Sequence, residues 1–171
     1  TVFISSQSYV GDLGGLAGAD AKWAALASAA ALGGTYAAWL STSSVNAASR
    51  FGATGATYAL VDGTPIANSL ADLTDGTLAA AIDLNENGVA TNSRAWTGTA
   101  PAGTACFQGS GGNCNLTSPG NDGLVRTACE DWTVAVPGSE AVTGFLATNG
   151  AWTLEGDRAC PDLHRLYCVE Q

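Results

Sequence analysis

The sequence predicts an α+β domain, and three features lead to this class. A run of β-branched and aromatic residues, Thr1 to Ser6, precedes the glycine-rich stretch 11–20 and an alanine-rich segment that extends to Leu32. This order is typical of a strand, a loop and a helix. The C-terminal half contains short strand-like segments and long loops, with no second β-α-β pattern. This arrangement favours an α+β domain over an α/β domain with a parallel sheet.

The alanine-rich segment predicts the main helix of the domain. Asp20 is expected to cap its N-terminus, because a carboxylate can accept hydrogen bonds from the free N–H groups of the first turn. Gly33 is expected to end the helix, since glycine adopts a left-handed backbone without steric cost. One apolar stripe recurs at helical spacing, and it consists of Trp23, Leu26, Ala27 and Ala30.

A strand, a glycine loop and a helix also occur in dinucleotide-binding units. Here the glycines fall at positions 11, 14, 15 and 18, and no register of them gives G-x-G-x-x-G. The loop is therefore interpreted as a structural turn that packs beneath the helix.

The remaining elements are predicted from short apolar runs and turn residues. The Trp-Thr pairs at 96, 132 and 152 are interpreted as core strands, because their spacing is too uneven for a repeat. A long ordered loop is expected over 99–123. Short helical segments are expected at 45–51 and within 70–82, and strands at 35–40, 58–61, 65–67, 129–136, 151–154 and 166–169.

Composition restricts the partners of this domain. The chain has 171 residues, which fits a single domain over 1–171, and its net charge is −9. It contains six Lys and Arg residues that form no basic patch, so nucleic acids and heparin-like polyanions are not expected as partners. No apolar run approaches the roughly 20 residues that span a bilayer. Because the chain begins at Thr1 and lacks methionine, we expect a processed mature form that is extracellular or on the outer surface.

The five cysteines indicate disulfides in an oxidising compartment rather than a zinc site. There is no C-x-x-C sequence and only one histidine. Cys106 and Cys114 enclose a Gly- and Asn-rich loop and are expected to pair locally. The pairing of the remaining three is open on spacing alone, and they are Cys129, Cys160 and Cys168.

Six motifs, spread in order over nearly the whole chain, resemble the endostatin domain of non-fibrillar collagens and, more closely, bacterial endostatin-like domains. The resemblance implies a C-type-lectin-like fold, in which two helices pack on a twisted mixed sheet with long disulfide-stapled loops. It also implies that the N- and C-terminal strands lie side by side. The motifs are Gly14-Gly-x-x-Gly-Ala-Asp20, Leu32 to Ser41, Asp62-Gly-x-Pro-Ile66, Ala95 to Thr99, Cys129 to Thr133 and Arg165 to Glu170.

The resemblance also bears on the cysteines. Cys129 and Cys160 match one bridge of the family, which implies that they pair. The family's other bridge joins the final cysteine to a position that is Trp23 here, so Cys168 is left without that partner. We expect a buried free thiol packed against the Trp23 indole, the alternatives being an intermolecular bond or a reactive thiol. The zinc histidines and basic heparin-binding face of endostatin have no counterparts here.

One acidic turn has the opening spacing of a calcium loop. Asp83, Asn85 and Asn87 occupy positions 1, 3 and 5, and Gly88 occupies position 6. Position 12 is Arg94 rather than a bidentate Glu, which excludes an EF-hand. Two interpretations remain: a polar turn with Asx-type hydrogen bonds, or a shortened calcium site that also draws on Glu86 or a backbone carbonyl. The sugar-binding sequences of C-type lectins do not occur.

No catalytic residues are predicted. His164 is the single histidine and lies beside a predicted strand, so it is expected to be a structural or surface histidine; the motif G-x-S-x-G does not occur. Glu130 and Asp131 are adjacent on a predicted strand and would point to opposite faces.

The sequence therefore predicts a secreted or cell-surface adhesion module, without catalysis, that recognises an extracellular matrix protein or a glycan. The 99–123 loop is its expected contact surface, with Phe107, Asn113 and Asn115 as candidate ligand-binding residues. Two other classes remain open: a self-assembling subunit of an extracellular filament, sheath or matrix, and a hydrolase with an unfamiliar site.

Overall fold

The computed structural model describes residues 1–52, 57–106, 125–126 and 128–171. Within these residues the fold is α+β, with a mixed seven-stranded sheet, a separate two-stranded hairpin and few helices. The helices are α1 Gly15–Ala29 and α2 Leu70–Leu73, with 3₁₀ turns at Ala47–Arg50 and Gly150–Trp152. The strands are β1 Val2–Ile4, β2 Tyr36–Ala38, β3 Tyr58–Ala59, β4 Pro65–Ala67, β5 Ala95–Trp96, β6 Val125–Arg126, β7 Ser139–Gly144, β8 Gly156–Ala159 and β9 Arg165–Glu170.

Strand β9 is the centre of the sheet. It pairs antiparallel with β1, where Val2 lies opposite Val169, and antiparallel with β2. Its first two residues pair parallel with β5. Strand β7 continues the sheet beyond β5, and it pairs parallel with β6 and antiparallel with β8. The N- and C-terminal strands therefore lie side by side, as expected.

Helix α1 starts and ends differently from the prediction. It begins at Gly15, and Gly14 precedes it in a left-handed conformation with φ 79°. Asp20 therefore lies inside the helix and does not cap it. At the C-terminus Ala31, not Gly33, takes the left-handed position with φ 57°. Its N–H donates to the Ser28 carbonyl at 3.1 Å and the next N–H donates to the Ala27 carbonyl at 2.9 Å, which is a Schellman ending.

Two predicted strands are wrong. Residues 129–136 do not form a strand, because Ala128–Trp132 is a left-handed turn with φ between 49° and 70°. Residues 151–154 do not form a strand either, because Ala151 and Trp152 belong to the Gly150–Trp152 3₁₀ turn, in which the Asn149 side chain accepts the Ala151 N–H at 3.0 Å. Besides the predicted β9, the described strands after β5 are β6, β7 and β8, none of which was predicted.

The predicted helical segments are shorter than expected. The 45–51 segment contains the 3₁₀ turn Ala47–Arg50. Within 70–82 only α2 is helical, and the Ser69 hydroxyl caps it by accepting the Asp72 N–H at 3.1 Å.

The core lies on both faces of the sheet. Alternate residues of β9 point to opposite faces, so Leu166 and Cys168 pack in the cluster beneath α1 while Tyr167 and Val169 pack in the other. All five tryptophans are buried: Trp23, Trp96 and Trp132 lie in the α1 cluster, and Trp39 and Trp152 lie in the other.

A buried hydroxyl network joins the segments that follow the tryptophans. The Thr97 hydroxyl donates to the Thr153 carbonyl at 2.6 Å, and the Thr153 hydroxyl accepts the Trp39 indole N–H at 3.0 Å. Ser41 and Thr99 join their hydroxyls at 2.9 Å. These four hydroxyl residues are fully buried, so their bonds replace lost water contacts and fix the segments relative to one another.

Cys129 and Cys160 form a disulfide, which ties the left-handed turn to the end of β8. Gly11 packs directly against it, and a Cβ there would lie 2.3 Å from the Cys129 sulfur. Among the described cysteines Cys168 is free and buried, in the same cluster as Trp23. Burial raises the pKa of its thiol well above the ordinary value, which suppresses the reactive thiolate.

Candidate functional site

The segment 107–124 leaves and rejoins the described part of the chain at one strand. Before it, the Gly98 N–H donates to the Val142 carbonyl of β7, and the Cys106 N–H donates to the Gly98 carbonyl at 2.8 Å. After it, β6 pairs with Ser139 and Glu140 of β7. Positions 139 and 142 of a strand lie roughly 10 Å apart, so β6 and Gly98, to which Cys106 is bonded, pair with the same part of β7.

The residues just before this segment are tightly held. Cys106 is buried and disulfide-bonded. The Ala105 N–H donates to the Asn46 side-chain oxygen at 2.8 Å, and the Ala48 N–H donates to the Gly103 carbonyl at 3.0 Å. The predicted contact residues Phe107, Asn113 and Asn115, together with Cys114, lie outside the described residues.

In the candidate calcium turn, the Asn85 side chain bonds to the backbone of the turn itself. The Asn85 Oδ1 atom accepts the N–H groups of Asn87 at 2.9 Å and Val89 at 3.0 Å. An oxygen that already accepts two hydrogen bonds is poorly placed to bind a cation as well, so the donor set fits the polar-turn interpretation better than a calcium site. Calcium binding by Asp83, Asn85 and Asn87 therefore stays a prediction.

Glu86 attaches this turn to the end of β1. Its carboxylate accepts the Ser6 N–H at 2.9 Å and the Ser6 hydroxyl, and its side chain is 5% exposed. The sequence pattern indicates Glu86 only as a cation ligand. No local pattern links residues 6 and 86, so this contact could not be found from the sequence.

Asp20 has a tertiary role in place of the expected capping role. Its carboxylate accepts the Arg50 guanidinium at 2.6 and 2.8 Å and the Ala38 N–H at 3.0 Å. The guanidinium also donates to the Ala38 carbonyl. One carboxylate thereby joins α1, β2 and the 3₁₀ turn that contains Arg50.

His164 is partly buried against an aromatic ring. Its imidazole lies edge-on to Trp96, with ring centroids 4.6 Å apart, and its Nε2 atom has no hydrogen-bond partner within the described residues. Burial, aided by the nearby charges of Arg158 and Arg94, lowers the pKa of His164 to about 4. The imidazole is therefore neutral at pH 7.

Glu130 and Asp131 lie on the left-handed turn, so the prediction that they alternate across a strand is wrong. The Asp131 carboxylate accepts the Ser43 N–H and hydroxyl, both at 2.6 Å. Asp131 thus holds the loop after β2 against the turn.

An open cleft of about 350 Å³ lies beside α1. Its lining combines small side chains of the helix, Ala24, Ala27 and Ser28, with residues of the following turn and of β2.

In the described parts of the chain, no helix is both long and apolar enough to cross a membrane. The same residues contain no cluster of three or more His, Cys, Asp or Glu side chains suited to a metal ion.

The chain matches no protein-family model and no curated protein.

Proposed function

We propose that this chain is a secreted or cell-surface binding module, without catalysis, of endostatin-like and C-type-lectin-like fold. The observation that carries the proposal is that the residues flanking segment 107–124 are held at β7, Cys106 through Gly98 and β6 directly. A segment whose ends are fixed to a sheet by backbone hydrogen bonds loses less freedom on binding, and this favours affinity.

The described scaffold, which carries the residues flanking the segment, supports this role. The disulfide fixes the left-handed turn, and the buried hydroxyls of Ser41, Thr97, Thr99 and Thr153 fix the strands around it. Binding residues are commonly carried on loops that a rigid core positions.

The chemistry of the segment favours a neutral partner, either an extracellular protein or a glycan. Phe107 offers an aromatic surface, and the amides of Asn113 and Asn115 can both donate and accept hydrogen bonds. The net charge of −9 disfavours polyanions.

The surroundings of His164 support a role without catalysis. A general base must reach the proton of a nucleophile by a hydrogen bond. The only histidine of the sequence instead packs on Trp96, and within the described residues its Nε2 atom bonds to no hydroxyl or thiol.

The test is a glycan and matrix-protein array probed with the unaltered chain and with an Asn113→Ala/Asn115→Ala variant. Asn92→Ala is the matched control, because Asn92 is an exposed asparagine elsewhere on the surface. We expect a specific signal that the double variant loses and the control keeps. An array without a specific signal, or one on which both variants bind alike, would contradict the proposal.

A structural subunit of a filament, sheath or matrix is the second candidate, and one observation favours it. The exposed positions of α1 carry no charge, and they are Ala17, Ala21, Ala24, Ala25, Ser28 and Ala29. On a chain of net charge −9, an uncharged face is where copies could approach with least repulsion. Light scattering over a concentration series tests it: growing mass supports assembly, and a constant monomer mass removes this candidate.

A further inference from the structure

His164 lies where the segment after β1 meets the sheet. The Tyr9 N–H donates to the His164 carbonyl at 2.7 Å, and the His164 N–H donates to the Tyr9 carbonyl at 3.0 Å. The Trp96 indole N–H donates to the same Tyr9 carbonyl at 2.9 Å. One carbonyl therefore joins the segment to the residue before β9 and to β5.

The side chain of His164 sits in a place that suits a neutral ring. Its Nε2 atom is buried, has no hydrogen-bond partner within the described residues, and belongs to a ring packed edge-on to Trp96. Protonation would give both ring nitrogens an N–H and the ring a positive charge. A buried charge without an acceptor is costly, so the protonated ring should move toward water.

The charged groups around His164 reinforce this preference. Arg94, before β5, and Arg158, on β8, both oppose a positive imidazole, whereas Asp162 on its own turn favours one. Glu155 forms ion pairs with both arginines, with Arg94 and, at 3.6 Å, with Arg158, so its carboxylate offsets part of their positive charge. The remaining balance and the burial lower the pKa of His164 to about 4.

Two other cations at this junction offer the imidazole no acceptor. Arg165, the next residue, directs its guanidinium to the Ser5 carbonyl. The Nζ atom of Lys22, on α1, lies 5.6 Å from the centre of the Tyr9 ring. Both groups are cations, so neither can accept a proton from His164.

We propose that His164 is an acid-sensitive latch, which holds residues 7–10 on the sheet while its ring is neutral and releases them when the ring is protonated. The residues on either side have bonds of their own. Ser6 is held by the Glu86 carboxylate, and the Gly11 N–H donates to the Cys160 carbonyl at 2.7 Å. The release of 7–10 therefore stays local, and it uncovers Trp96.

The test uses the single histidine of the chain as its own probe. The imidazole carbon and proton shifts are followed by NMR from pH 7.5 to 3.5, together with the protection of the Tyr9 amide against hydrogen exchange. We expect the ring to titrate more than one unit below its ordinary value, and the Tyr9 protection factor to fall at least about tenfold as it does so. An ordinary or raised titration, as if the Trp96 ring stabilised the cation, would overturn the proposal.

A His164→Phe variant separates the latch from general acid unfolding. Phenylalanine retains an aromatic ring against Trp96 and cannot be protonated. We expect the Tyr9 amide of this variant to keep its protection down to pH 4, while the amides of β7 behave alike in both proteins. Loss of Tyr9 protection in the variant over the same pH range would contradict the proposal, and so would simultaneous loss at Tyr9 and β7 in the unaltered chain.

Discussion

The carboxylate of Asp20 should be a main support of the helix–sheet junction. Arg50 is only 10% exposed, and Asp20 supplies both the counter-charge of its guanidinium and an acceptor for the Ala38 N–H. In Asp20→Ala, the guanidinium stays buried without its carboxylate and the N–H of β2 loses its acceptor. The variant should therefore be destabilised by much more than an ordinary surface substitution.

The stability lost in Asp20→Ala can be worked out from the exposure of the two side chains. Breaking a fully buried pair on one side costs about 3–5 kcal/mol. Asp20 is 34% exposed, so water screens part of this interaction, and about 2 kcal/mol is a better value for the pair. The lost hydrogen bond to Ala38 adds about 1 kcal/mol. Together they should lower the melting temperature by roughly 6–12 °C.

The assay is urea unfolding followed by circular dichroism, applied to Asp20→Ala, Arg50→Met and the double variant. The loss of stability in the double variant should be about 1–2 kcal/mol smaller than the sum of the two single losses, because either single change already removes the Asp20–Arg50 interaction. Asp75→Ala is the control, since Asp75 is exposed and bonds to Thr77 two residues away. If Asp20→Ala is as mild as the control, or if the two single effects simply add, the reasoning is refuted.

Four further predictions concern single residues. Cys168 should resist thiol reagents in the native protein and react once under denaturing conditions, because burial raises the pKa of its thiol; rapid native labelling would be contrary evidence. Asn85→Ala should lose about 1–2 kcal/mol of stability in chemical denaturation. The unaltered chain should melt at the same temperature in calcium and in chelator, whereas a rise in calcium would support the metal site. Thr153→Val should cost about 1–3 kcal/mol in the same assay by leaving a buried indole N–H unpaired, and an unchanged midpoint would argue against the network. Cys160→Ser should lower stability by about 3.7 kcal/mol through the lost cross-link, so an effect near zero would count against this disulfide as a main support.

The features predicted correctly are those that a local sequence pattern or the motif resemblance indicates. The apolar stripe around Trp23 identified the body of α1, the β-branched and aromatic run at the N-terminus identified β1, and the apolar run 166–169 identified β9. Their pairing was implied by the motif resemblance. The start of α1 was missed because a left-handed Gly14 precedes it and because Asp20 bonds to Arg50, which lies far away in sequence.

The errors in the C-terminal half have a conformational cause. Residues 129–136 contain strand-forming types, but the left-handed turn from Ala128 depends on tertiary contacts. Cys129 is held by Cys160, and the Trp132 indole N–H donates to the Ser41 carbonyl at 2.8 Å. The polar turn with Asx-type hydrogen bonds was one of the two interpretations that the spacing of residues 83–88 allowed, and the Asn85 side chain makes such bonds to the N–H groups of Asn87 and Val89.

The most direct test of the binding role is the affinity of the strongest array ligand for two variants, measured by biolayer interferometry. Phe107→Ala alters the segment anchored on β7, and Val89→Ala alters an apolar residue that is 59% exposed in the calcium-like turn. We predict that Phe107→Ala weakens binding about tenfold or more, as expected for an aromatic anchor, while Val89→Ala changes it less than about twofold. Equal affinities for both variants and the unaltered chain would contradict the account.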